Sequence, residues 1–104
     1  MSRRARTERR SLGRETRKLT RDRVKLARLE PGGAAERPIA IVSASLVEVR
    51  ARAMPCVTCG GEVKIADHTA ETVDGVPLRL AHVRCGACGY ARVVHFVLRP
   101  ALAN

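Results

Sequence analysis

The pattern of apolar positions changes once along the chain, near residue 33. Over residues 7–30, Leu12, Leu19 and Leu26 recur every seven residues in a segment that is otherwise mostly charged and contains no proline. Arg, Lys, Leu and Glu dominate this segment and are good helix formers, so the spacing predicts a helix with one thin apolar stripe. The run Glu30-Pro31-Gly32-Gly33 predicts where the helix ends.

The predicted helix has little apolar surface with which to pack. A regular coiled coil needs a second set of apolar positions, and those positions hold Arg9, Thr16 and Arg23 instead. Gly13 weakens the first turns further. We therefore interpret residues 1–33 as a basic, partly helical or disordered arm and linker, with disorder expected in residues 1–10.

From Ile39 onward the period of the apolar positions becomes two, which is typical of half-buried strands. The alternation predicts strands at residues 46–53, around Val63 and Ile65, at 78–83, and at 90–98. Asp74-Gly75 predicts a tight turn. No helical pattern separates these strands, so residues 34–104 are predicted to form a small, mostly-β domain of about four short antiparallel strands.

The charge of the chain is concentrated at one end. The formal net charge is +10, and residues 1–30 hold 12 Lys/Arg against 4 Asp/Glu, whereas residues 31–104 hold 8 against 6. A GC-rich genome explains the excess of Arg over Lys. The clustering of basic residues in residues 1–30 is therefore the observation that favours a phosphate-bearing partner, RNA or DNA. The alternative is a solvated charged helix without a partner. The candidate phosphate-binding residues are Arg3, Arg4, Arg6, Arg9, Arg10, Arg14, Arg17, Lys18, Arg21, Arg23, Lys25 and Arg28.

The four cysteines lie in two matching units, Cys56-Val57-Thr58-Cys59-Gly60 and Cys85-Gly86-Ala87-Cys88-Gly89. A two-residue spacing lets one tight turn present two sulfurs to an ion, and the following glycine permits positive φ. A hairpin between the units would bring all four sulfurs to one closed tetrahedral site. We expect one Zn²⁺ per chain. Iron, disulfides and free thiols are the alternatives, and a reducing compartment disfavours disulfides.

These paired units resemble the four-cysteine zinc-ribbon superfamily, over about residues 46–98. The resemblance implies that Cys56, Cys59, Cys85 and Cys88 are the zinc ligands. The chain is also similar to small uncharacterised bacterial zinc-ribbon proteins, which implies no activity. Rubredoxins share the paired units and bind iron, but they are usually acidic with aromatic cores, and this chain is basic with only Tyr90 and Phe96.

The remaining candidates for chemistry are weaker. His68, His82 and His95 could be ligands or bases, but four thiolates already fill a tetrahedral site and no nucleophile accompanies the histidines. No enzymatic activity is therefore predicted. Tyr90 and Phe96 flank Arg92 on one strand face and could stack nucleic-acid bases, although core packing is the favoured role for the only two aromatic residues.

Two main function classes follow from these patterns, beside a third, an electron carrier of rubredoxin type, which would need iron at the four cysteines. The first is a non-enzymatic zinc-ribbon module whose arm binds RNA or DNA phosphates, associated with the ribosome or with transcription. The second is a protein-interaction adaptor, or a self-associating chain, that docks through the stripe Leu12, Leu19, Leu26 and Leu29. The sequence contains no apolar run long enough to span a membrane and begins with arginines, so a cytoplasmic protein is expected. Acidic residues in the arm argue against a mitochondrial transit peptide.

Overall fold

The computed structural model of the protein describes residues 3–99, with side chains from residue 5 onward. The helices and strands are α1 (Arg3–Leu29), β1 (Ile39–Ile41), a 3₁₀ turn (Ala44–Leu46), α2 (Val47–Arg52), β2 (Val63–Val73), β3 (Val76–Cys85) and β4 (Ala91–Leu98).

The four strands form one mixed sheet in the order β1-β4-β3-β2. β2, β3 and β4 pair antiparallel, as the sequence predicts, whereas β1 pairs parallel with β4, Ile39 opposite Phe96. The prediction of a mostly-β domain is therefore confirmed, but the prediction that all strands are antiparallel is wrong. A parallel pair needs a long crossover, and here α2 and the β2–β3 hairpin supply it.

The predicted strand at residues 46–53 is wrong, because this segment forms the end of the 3₁₀ turn and then α2. Val47 and Ala51, four residues apart, are fully buried, whereas Val49 is exposed. Over so short a segment, the alternating apolar residues fit a strand as well as they fit a helix. Tertiary contacts stabilise the helix. Ser43 caps the turn by accepting a hydrogen bond from the Ser45 N–H at 3.3 Å.

The long hairpin of β2 and β3 brings the two cysteine units together. Asp74 and Gly75 both have positive φ, 50° and 79°, which confirms the predicted tight turn. The pairing shifts by one residue between Ile65 and Asp67, a β-bulge at Ala66. At the other end of the hairpin Val63 lies opposite Cys85, so the strand register determines where the two cysteine units meet.

The main core lies between α2 and one face of the sheet. Its buried side chains are Ile41, Val47, Ala51, Cys56, Val63, Ala81, Val83, Cys85, Val94 and Phe96. Phe96 is the largest of them and is fully buried. Because most of the others are small, this core has little apolar volume, and two of its members are cysteines.

The C-terminal end of helix α1 contacts the sheet domain. It begins at Arg3, so residues 3–10 are helical where the composition predicts disorder, consistent with their content of Arg and Ala. Ala27 is buried, and after the helix the Gly32 carbonyl accepts a hydrogen bond from the His95 backbone N–H at 2.8 Å. The molecule measures 70 × 25 × 24 Å, and α1, with 27 residues, is about 40 Å long.

Gly33 allows the chain to pass close beneath the end of α1. A Cβ atom on Gly33 would lie 1.9 Å from the backbone oxygen of Ala27, and backbone cannot yield as a flexible side chain does. We expect Gly33→Ala to lower the free energy of unfolding by about 1–3 kcal/mol, the usual cost of overpacking. Chemical denaturation measures this change. Gly86→Ala is the control, since its new Cβ meets nothing closer than 3.8 Å, and an equal effect of both variants would contradict the prediction.

Candidate metal centre

Two tight turns, here called the cysteine knuckles, hold the four sulfurs. The first, residues 56–60, follows α2 and precedes β2, and the second, residues 85–89, joins β3 to β4. In each knuckle the glycine N–H donates to the carbonyl of the first cysteine, Gly60 to Cys56 at 2.8 Å and Gly89 to Cys85 at 3.1 Å. Both glycines have positive φ, 75° and 78°, as predicted for this position.

The sulfur atoms form a cluster of the size that one metal ion requires. All four Sγ atoms lie within 4.8 Å of one another, with Cys56–Cys88 at 3.6 Å and Cys59–Cys85 at 3.5 Å. A tetrahedral ion with metal–sulfur bonds of about 2.3 Å separates its sulfurs by about 3.8 Å, close to these distances. A disulfide needs about 2.05 Å, and all four cysteines are free thiols. Four cysteines are positioned to bind one metal ion.

Backbone N–H groups donate hydrogen bonds to sulfurs in both knuckles. Gly61 donates to the Cys59 sulfur at 3.4 Å, and Ala87 and Cys88 donate to the Cys85 sulfur at 3.3 and 3.4 Å. Gly60 and Gly89 do not supply these bonds, because their N–H groups donate to carbonyls instead. These dipoles offset the negative charge of the thiolates, as outer-shell groups do in metal sites.

Thr58 is the functional residue that the cysteine pattern does not identify. Its hydroxyl lies 3.1 Å from the Cys56 sulfur and 3.1 Å from the Cys88 sulfur, so it bridges the two knuckles. Its carbonyl accepts a hydrogen bond from the Arg23 guanidinium of α1 at 3.3 Å. The signal in the sequence is a hydroxyl between the cysteines of the first knuckle, where the second has Ala87.

These hydrogen bonds divide the thiols into acidic and weakly acidic members. Burial raises the pKa of Cys56, but the Thr58 hydroxyl and the nearby backbone N–H groups outweigh it and lower the pKa to about 6. The Cys88 backbone N–H lowers the pKa of Cys85. For Cys59 the Gly61 N–H lowers the pKa, but the neighbouring thiols of Cys85 and Cys88 outweigh it and raise the pKa to about 12. Metal binding must therefore displace the Cys59 proton, and affinity falls as the pH falls.

We expect Thr58→Val to weaken the binding of a metal ion, measured with added Zn²⁺, by about 10- to 100-fold, the usual effect of losing an outer-shell hydrogen bond. Valine keeps the shape of threonine but cannot donate to either sulfur. Competition with a chromogenic chelator measures the affinity. Thr58→Ser keeps the hydroxyl and should bind zinc nearly as tightly as the natural chain, so a matching loss in the serine variant would show that the hydroxyl is not responsible.

The three histidines lie apart from the sulfur cluster. In residues 3–99 the cysteines are the only group of three or more His, Cys, Asp or Glu side chains arranged to hold a metal ion. The His82 Nε2 lies 3.0 Å from the Thr69 hydroxyl, and His95 donates from Nδ1 to the Gly32 carbonyl at 3.1 Å. His68 Nδ1 lies 3.9 Å from Glu48 Oε1.

The predicted stacking face is only partly available. Phe96 is fully buried, so it cannot stack a base, and its predicted role in the core is confirmed. Tyr90 is half-buried and packs against the edge of the same core. Arg92 is also half-buried, and desolvation by burial lowers its pKa.

The predicted phosphate-binding residues lie along α1, and their side chains are exposed from Arg6 to Arg28. Arg3 and Arg4 are in the helix, but their side chains lie outside the described atoms. Leu12, Leu19, Leu26 and Leu29 are also exposed, by 63%, 57%, 56% and 63% of their surface. The arm therefore has polar and apolar surface that no other described residue covers.

No family model matches the sequence, and neither curated proteins nor solved structures give a match to the chain. Within residues 3–99, neither helix combines the length and the apolar character needed to cross a bilayer.

Proposed function

We propose that the protein is a non-enzymatic zinc-binding module of zinc-ribbon type, cytoplasmic, whose arm binds the phosphates of RNA or DNA as an accessory to the ribosome or to transcription. The observation that supports this proposal is the arrangement of arginines on α1. Arg10, Arg14, Arg17, Arg21 and Arg28 fall within an arc of about 60° around the helix, since successive residues are about 100° apart.

These five arginines, here called the arginine face, form a nearly straight line on the helix. From the first to the last the helix rises about 27 Å, so several phosphates along a strand can be contacted at once. The guanidinium group binds phosphate through two parallel hydrogen bonds, and such contacts position a protein without reading base sequence. We therefore expect binding with little sequence preference and strong dependence on salt.

Zinc is the metal we propose for the four cysteines. Four thiolates are soft ligands and form closed tetrahedral sites for zinc or iron. The four sulfurs leave no open position for a metal-bound water, so the site has a structural role rather than a hydrolytic one. Elemental analysis and the absorption spectrum of the purified protein distinguish the two metals, because a ferric four-thiolate site is red and zinc is colourless.

The experiment that tests nucleic-acid binding is purification of the tagged protein from a cell lysate, with and without nuclease. We expect RNA or DNA to copurify with the untreated protein and to disappear after nuclease treatment. A companion chain with glutamine in place of Arg10, Arg14, Arg17 and Arg21 should recover much less nucleic acid at the same zinc content. Equal recovery by both chains would contradict the proposal.

A second candidate function has an observation of its own, the exposure of the leucine stripe. Leu12, Leu19 and Leu26 lie on the side of α1 opposite the arginine face, so the two surfaces can act independently. A protein groove, or a second copy of the chain, would bury them. Light scattering at two salt concentrations separates the functions, because association through leucines survives salt and phosphate binding does not.

A further inference from the structure

A cleft of about 260 Å³ lies where the last turns of α1 meet the beginning of β4. Val24 and Ala27 of the helix form one wall, and Tyr90 and Arg92 form part of the other. Arg28, the last member of the arginine face, also lines the cleft. The line of arginines on α1 therefore leads into a concave site on the sheet domain.

Arg92 gives this cleft an unbalanced positive charge. Its side chain is half-buried, and in residues 3–99 no carboxylate lies within 4.0 Å of it. Tyr90, Cys56 and Glu30 each raise the pKa of Arg92, but desolvation by burial outweighs them and lowers it. A half-buried cation without a partner is costly, and an anion entering the cleft would relieve that cost.

Tyr90 adds a flat aromatic surface to the same cleft. With Phe96 fully buried, Tyr90 is the only Phe, Tyr or Trp ring of the sequence that a ligand can reach. Bases of single strands stack on such rings, whereas bases of a duplex are already stacked on each other. The cleft thus combines two phosphate-binding groups with a stacking surface.

We propose that this cleft is a subsite for one phosphate and the adjoining base of a single-stranded nucleic acid, with Arg28 and Arg92 binding the phosphate and Tyr90 contacting the base. The proposal rests on the proposed function, because it deepens nucleic-acid binding by the arm. It adds a preference for single strands over duplexes, which the arginine face alone would not have. A duplex can contact the arginine face but cannot place an unstacked base in the cleft.

The test compares binding of a labelled short oligouridylate and of an RNA duplex of the same length, by fluorescence anisotropy at low salt. We expect Arg92→Gln to weaken single-strand binding about tenfold, which corresponds to the loss of a charged hydrogen bond, with a change below about twofold on the duplex. Arg99→Gln is the matched control. Arg99 is exposed and follows the opposite end of β4, so its loss removes the same charge away from the cleft.

Three further measurements make the outcome decisive. Arg92→Lys keeps the charge without the planar fork and should give an intermediate single-strand affinity. Tyr90→Leu should weaken single-strand binding and leave duplex binding unchanged. Zinc content is measured for every variant, because loss of zinc in Arg92→Gln would assign Arg92 to balancing the thiolates and overturn the proposal.

The outcomes separate this inference from the function on which it rests. A natural chain that binds neither probe overturns both. A natural chain that binds both probes, with Arg92→Gln indistinguishable from Arg99→Gln, overturns the cleft alone and leaves phosphate binding by the arm in place.

Discussion

Replacing Cys88 by serine is expected to unfold the sheet domain. Cys88 is exposed, so the substitution leaves no cavity in the core, and its effect comes through the metal. Structural zinc contributes about 10 kcal/mol or more to folding at neutral pH, whereas a small domain is stable by only about 5–15 kcal/mol in total. The core of this domain is composed mainly of small side chains and includes Cys56 and Cys85 themselves. We therefore expect a metal ion at the four cysteines to contribute much of the free energy of folding that this small core does not.

Circular dichroism during heating, with elemental analysis of the same samples, measures this effect. Cys88→Ser should show no cooperative transition and no zinc, and a strong chelator should have the same result on the natural chain. Ala87→Ser is the matched control, since Ala87 is exposed in the same knuckle but is not a ligand. A cysteine variant that still unfolds cooperatively without metal would show that the apolar core suffices.

Neutralising the arginine face is expected to remove most of the salt-sensitive affinity for nucleic acid. Each phosphate contact contributes about −0.9 to the log–log salt slope on a duplex and about −0.7 on a single strand. If about half of the twelve basic residues of the arm make contacts, binding of the natural chain should weaken at least a hundredfold between low and moderate salt. Glutamine at Arg10, Arg14, Arg17 and Arg21 should reduce the slope stepwise.

Charge variants test the arm better than its deletion. Removal of residues 1–30 would also remove Ala27, which is buried, and Arg23, which bonds to the first cysteine knuckle. The control replaces Arg50, Arg52, Arg79 and Arg84 of the sheet domain by glutamine, which changes the net charge equally. If this control loses as much affinity as the arm variant, overall charge and not the arginine face determines binding.

Local patterns in the sequence suffice for the parts of the fold that depend on neighbouring residues. The Asp74-Gly75 turn, the strands on either side of it and the end of α1 follow from short-range signals. The parallel pairing of Ile39–Ile41 with β4 does not, because it depends on a crossover that no local pattern reveals. Val47, Val49 and Ala51 alternate like a strand, but the burial of Val47 and Ala51 against the sheet stabilises a helix.

The clustering of the four cysteines is predictable from the sequence because their spacing reflects the geometry that a metal ion requires. The four sulfurs meet as expected, and the hairpin register that aligns Val63 with Cys85 brings the knuckles together. Thr58 could not be assigned in the same way, since its role depends on the distance between two knuckles remote in sequence. The cleft beside Arg92 depends on how α1 meets β4, which is again a tertiary contact.

The unequal edges of the sheet bear on how concentrated solutions of the protein behave. β1 is three residues long, so it offers little template for pairing with another chain. β2, at the other edge, is eleven residues long, but it is interrupted by the bulge at Ala66 and carries Lys64, Asp67 and Glu71. Short length, a bulge and charge are the features by which sheet proteins resist fibrillar aggregation. The domain can thus keep an open sheet without polymerising through its edges.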